Sequence, residues 1–226
     1  MDKKDLAKLV RQWRKENPIE NGFNLSYEDW YDFRFLHTHQ RATRGDEKWF
    51  AKRVNGSTEG TGKQWWEPFS REVDIGDGFC GETLIAGTNN YDLKVTFKER
   101  NTISSIGFQQ YRPADPIAFY AALMGTGPKH YTLIIVPKDI ALRMKVDKIL
   151  KTGKLGSAHG TGIYDQLTVD EKVKVITEAA ATGKSCVVGF DVKKSSSKED
   201  FELLMDKYRM TFDDVSDFIC NYKKED

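Results

Sequence analysis

Hydrophobic positions change their rhythm along this chain, and the changes predict its elements. Over residues 5–16 the apolar side chains Leu6, Leu9, Val10 and Trp13 recur at helical spacing, and Asn17-Pro18 ends the pattern. A second amphipathic helix is expected after Ser26, with Trp30, Phe33 and Leu36 or His37 on one face and an end near Arg41. The polar, glycine-rich stretch 55–62 reads as a mobile loop, and Trp65-Trp66 re-anchors the chain after it. From Phe79 the period becomes two: strands over 79–86 and 91–98 flank Gly87-Thr88-Asn89-Asn90 as a hairpin. A third strand is expected over 103–108, a helix over 115–124 carrying Ile117, Phe119, Tyr120 and Leu123, and a central strand over 131–136. Pro137 should open a helix with Ile140, Met144, Val146 and Leu150 as its apolar positions. Beyond it the pattern gives a loop over 155–163, a helix over 169–181, a short strand over 186–190, a polar linker at 193–197, and charged helices over 198–207 and 212–221.

These elements place the chain in the mixed α/β class, with a mixed central β-sheet flanked by helices. At 226 residues, the simplest partition is a single domain: a helical N-terminal part over 1–70, a core over 71–150 and a C-terminal part over 151–226. Thirty-five Lys and Arg against 34 Asp and Glu leave a net charge of +1, so any basic surface is local. With 39% apolar and 12% aromatic residues the composition is that of a folded, water-soluble protein. The charged N-terminus and the lack of a long apolar run lead us to expect an intracellular protein without membrane association. Cys80, Cys186 and Cys220 form no CxxC pair and read as reduced, small core residues.

The chemistry concentrates around Asp92-Leu93-Lys94. Residues two apart on a strand share a face, so Asp92 and Lys94 project together while Leu93 and Val95 turn to the core. A carboxylate from the preceding strand would add a second hard oxygen ligand for Mg²⁺ or Mn²⁺. Asp77 and Glu82 both qualify. Spacing to Asp92 across a tight hairpin favours Glu82, whereas Asp77 sits between two glycines where an exposed functional side chain is tolerated. Glu72 and Asp74 are weaker candidates, better read as surface charge.

The alternative reading of Asp-Leu-Lys is a solvated, salt-bridged strand face. Its flank lifts the catalytic reading. With an acidic residue on one hairpin strand, Asp92-Leu93-Lys94 on the next, and Ser105-Ile106-Gly107-Phe108-Gln109-Gln110-Tyr111-Arg112-Pro113 after it, the stretch resembles the PD-(D/E)XK nuclease superfamily, especially type II restriction endonucleases. The resemblance spans residues 72–149, and the chain departs from it in lacking a Pro-Asp dipeptide before Asp92.

The resemblance implies a restriction-endonuclease-like core with helical N- and C-terminal extensions, and a Mg²⁺-dependent endodeoxyribonuclease acting on duplex DNA as a homodimer, with Mn²⁺ able to substitute. Glu82 and Asp92, with Asp77 as the other possible first ligand, would bind the metal. Lys94 would place the attacking water and Gln109 would support the site. Arg112 is the expected phosphate binder because of its planar fork. The loop residues Ser157, His159 and Thr161 would contact DNA, as would Arg41 and Arg44 in a basic run that includes Lys48, Lys52 and Arg53. Trp49 and Trp66 in the same region read as core. The rival readings are a non-catalytic nucleic-acid-binding or inhibitor protein on the same fold, and a protein-interaction domain.

Other motifs fail on their own terms. The glycines at 56–62 have the wrong spacing for a phosphate loop and Gln64 stands where Ser or Thr is needed; Glu178 spoils the second match before Gly183-Lys184-Ser185. His37 and His39, two apart in a helical segment, point in different directions and bring no further ligand.

Overall fold

Two adjacent strands are apolar on both faces, and the rest of the fold is what covers them. The computed structural model describes residues 45–61, 75–97, 103–127, 130–155, 164–184 and 186–223. In it β5 (Phe119–Gly127) and β6 (His130–Pro137) form a long antiparallel pair inside a six-stranded sheet of order β1-β2-β3-β5-β6-β8. The other strands of that sheet are β1 (Gly56–Ser57), β2 (Gly78–Cys80), β3 (Asn90–Phe97) and β8 (Arg209–Met210). Every neighbouring pair is antiparallel except β3 and β5, which run parallel, so the sheet is mixed.

Side-chain alternation divides two cores between the faces. Tyr91, Leu93, Phe119, Ala121, Leu123, Leu133 and Ile135 face one core, with Trp49, Phe50 and Val54 from the region of α1 (Gly45–Arg53) and Phe212, Val215 and Ile219 from α5 (Phe212–Asn221). Tyr120, Ala122, Met124, Ile134 and Val136 face the other. That second core is filled by α2 (Lys138–Thr152), α3 (Val169–Thr182), α4 (Lys198–Lys207) and a separate two-stranded sheet of β4 (Ser105–Tyr111) with β7 (Val188–Lys193).

The mixed α/β class with a mixed sheet between helices is therefore what the chain adopts. The helices expected from Pro137, over 169–181, and over the last two segments are all present, as is the strand over 131–136. α3 begins with a capping box: Glu171 N–H donates to the Thr168 hydroxyl while the Glu171 carboxylate accepts from Thr168 N–H.

Several expectations are corrected. Residues 115–124 are no helix but the turn into β5, because the unbroken run from Phe119 to Met124 is buried on both sides of a sheet, and such a run carries no periodicity to tell helix from strand. The strand expected over 103–108 exists as β4 but pairs with β7 instead of extending the hairpin. The strand expected over 79–86 ends at Cys80, and residues 81–89 form a loop. Gly56 and Ser57, expected within a loop, pair with Cys80 and Phe79. The strand expected over 186–190 begins at Val188. Cys80 and Cys186 are buried, but Cys220 lies exposed on α5. Trp49 is core as expected, and Arg53 stacks over its ring and that of Phe212. The two N-terminal helices and the Trp65-Trp66 anchor lie outside the described residues.

Candidate active site

On β3 the alternation separates Tyr91 and Leu93, buried in one core, from Asp92 and Lys94, which share the opposite face and are half-buried. Register with β5 sets Asp92 beside Tyr120 and Lys94 beside Ala122. A carboxylate and an ammonium are thus held along a rigid strand flanked on both sides.

Of the two candidate acids, Asp77 is the one that bonds to β3. Gly78 pairs with Tyr91 at the start of β2, and Asp77 lies in the bend just before it. Two hydrogen bonds hold it there: Asp77 N–H donates to the Tyr91 carbonyl at 2.7 Å, and Asp77 Oδ2 accepts from Leu93 N–H at 2.7 Å. The approach demands glycine at position 76, whose φ is +89° and where a Cβ would collide with the Tyr91 carbonyl oxygen. Glu82, by contrast, is exposed in the 81–89 loop beyond the end of β2. The expectation that it shares a paired strand with Asp92 is corrected, because β2 is only three residues long.

A third segment closes on this face. The β4–β5 connection carries Arg112 and Asp115, paired at 3.8 Å and partly shielded from solvent. Asp115 N–H donates to the Arg112 carbonyl, forming the turn expected at Pro113. Tyr120, fully buried, donates its hydroxyl to the Arg112 carbonyl at 3.3 Å. Burial holds that phenol protonated well above its ordinary range; Tyr111, then Asp92 and Asp115, push in the same direction, against the hydrogen bond with the Arg112 backbone.

Gln109 lies on β4, in the stretch where the β4–β7 pairing shifts register between Phe108 and Tyr111. That strand belongs to the second sheet and does not adjoin β3. Ser157, His159, Thr161, Arg41 and Arg44, like Glu72 and Asp74, fall outside the described residues. Tyr120 and Asp115 were missed as site neighbours because the segment reads as a helix in sequence. Among the described residues no group of three or more His, Cys, Asp or Glu side chains is placed to hold a metal ion, and no helix is long and apolar enough to cross a membrane.

No protein-family model, curated protein or solved structure matches this chain. Its class is that of a mixed α/β protein with an Asp-x-Lys strand and a second aspartate docked beside it.

Proposed function

We propose that this chain is a Mg²⁺-dependent endodeoxyribonuclease with a restriction-endonuclease-like core, acting on DNA as a homodimer. The observation that carries the reading is the hydrogen bond from Leu93 N–H to Asp77 Oδ2, which ties a second carboxylate to the strand of Asp92 and Lys94. A strand bearing only solvated charge has no need of a buried glycine approach to bring another acid alongside.

Asp77 and Asp92 fit a Mg²⁺ ion: both are hard oxygen donors, and ions of this kind in phosphate chemistry take one or two carboxylates and fill the other positions with water and substrate oxygens. When bound, the metal would polarise the scissile phosphate and ease deprotonation of the attacking water. Lys94, on the same face of β3 as Asp92, would be the group that positions the attacking water. Arg112, planar and permanently charged, is suited to a flanking phosphate oxygen, with Asp115 fixing its fork. Mn²⁺ would substitute for Mg²⁺.

The test is cleavage of supercoiled plasmid with Mg²⁺, with EDTA, and by variants. Lys94→Ala, Asp92→Ala and Asp77→Ala should each lower the rate by roughly 10²- to 10⁴-fold, the range for removing a positioned proton-handling or charge-stabilising group. Glu82→Ala should stay within about twofold, as expected of an exposed loop residue. Cleavage that survives in Asp92→Ala or in EDTA would end the proposal. A metal-independent mobility shift without any cutting would favour a binding protein on the same fold.

A further inference from the structure

Asn90 has no solvent exposure and spends its whole side chain on backbone. Its Nδ2 donates to the Ile75 carbonyl at 2.8 Å and to the Pro116 carbonyl at 2.6 Å, while its Oδ1 accepts from Gly87 N–H at 2.8 Å. The three partners belong to three different segments: the approach to Asp77, the end of the 81–89 loop, and the turn after Arg112 and Asp115. The Asn90 carbonyl adds a fourth tie, accepting from Ala118 N–H at 3.1 Å. An amide is the only uncharged side chain of this size that presents two donors and an acceptor at once, so these bonds satisfy all but one of its hydrogen-bonding positions.

We infer that Asn90 is the positioning residue of the site, clamping the Asp77 segment and the Arg112–Asp115 turn to the strand of Asp92 and Lys94. The inference rests on the nuclease reading for its catalytic consequence, but the clamp itself is a matter of geometry. Without it, the Ile75 carbonyl loses its bond to the first residue of β3, two positions before Asp77. The adjacent Asn89 serves a different purpose: its amide donates to the Cys80 and Thr83 carbonyls and accepts from Ile85 N–H, which shapes the loop carrying Glu82 and ties it to the far end of β2.

Asn90→Asp and Asn90→Ser test this. The first keeps an acceptor for Gly87 N–H but sets an oxygen against two carbonyls; the second is too short to span the segments. Amide hydrogen exchange reads the clamp directly, because Leu93 N–H is protected by Asp77 Oδ2. In both variants Leu93 N–H should exchange roughly tenfold to a hundredfold faster, as expected for a destabilised buried hydrogen bond, while the amides that pair β5 with β6 keep wild-type rates. In plasmid cleavage, kcat should fall and the Mg²⁺ concentration for half-maximal rate should rise, with KM for DNA unchanged. An unchanged Leu93 amide in either folded variant would overturn the inference. So would loss of protection across β5 and β6 in both variants, since Asn90 would then hold the whole sheet and not one approach to it. A wild-type chain that cuts no DNA, with Leu93 N–H still released in the variants, would end the nuclease reading and leave the clamp standing.

Discussion

Burial decides what single residues of this protein can do, and the cysteines illustrate it. Cys80 on β2 has no exposed surface, and its thiol is pushed up to about 12, first by desolvation and then by the neighbouring Cys220, against a lowering hydrogen bond from Ser216. Burial raises the Cys186 thiol as well. Cys220 is exposed. Since the thiolate is the nucleophile, native protein treated with iodoacetamide near neutral pH should gain one adduct, at Cys220, with Cys80 and Cys186 labelled only after denaturation. Peptide mass mapping decides this, and equal labelling of Cys80 in the native state would contradict its burial. The same logic separates the two candidate acids. Asp77 is distinguished from Glu82 by a backbone N–H that its carboxylate accepts, and no feature of the sequence announces that bond.

At the scale of elements, the site depends on a three-residue strand being brought to β3 at the correct place. Gly76 makes that approach possible, and its replacement should be costly for two separable reasons. Alanine at a φ of +89° is strained, and its Cβ would meet the Tyr91 carbonyl. Gly183, the C-cap of α3, provides the comparison: its φ is +72°, but nothing lies within 4 Å of a Cβ there. Gly183→Ala should therefore lose about 1–2 kcal/mol from conformation alone, and Gly76→Ala about 3 kcal/mol or more with the collision added. Urea unfolding of the two variants measures the difference, and equal losses would show that the close approach is not made. Elements with a clear period, such as α3 with its capping box, were legible in the sequence. The run through β5 was not, because a strand covered on both faces has no polar side to reveal its period of two.

For the whole molecule, the second core contains a buried charge that couples stability to pH. Lys145 on α2 is fully buried, its ammonium donating to the carbonyls of Leu155 and Gly189. Desolvation, reinforced by Lys148, lowers its pKa from 10.5 to about 8, against the opposing influence of Cys186 and Asp191. Below pH 8 the folded and unfolded chains both hold the proton; between pH 8 and 10.5 only the unfolded chain does, so this group makes stability rise with pH across that window. Relative to Lys145→Met, the wild type should gain about 2 kcal/mol of unfolding free energy between about pH 7.5 and about pH 9.5. Urea titrations of both proteins check it, and a flat or falling difference would refute the assignment. Sequence alone determined the mixed α/β class, the C-terminal helices, the buried strand at β6 and the placing of Asp92 with Lys94 on one face, because each follows from local periodicity, from a short apolar run closed by Pro137, or from a two-residue offset. Which acid bonds to β3, which strand lies beside it, and how Asn90 is used were decided only by tertiary structure, since each depends on backbone groups from segments distant along the chain that no local pattern encodes.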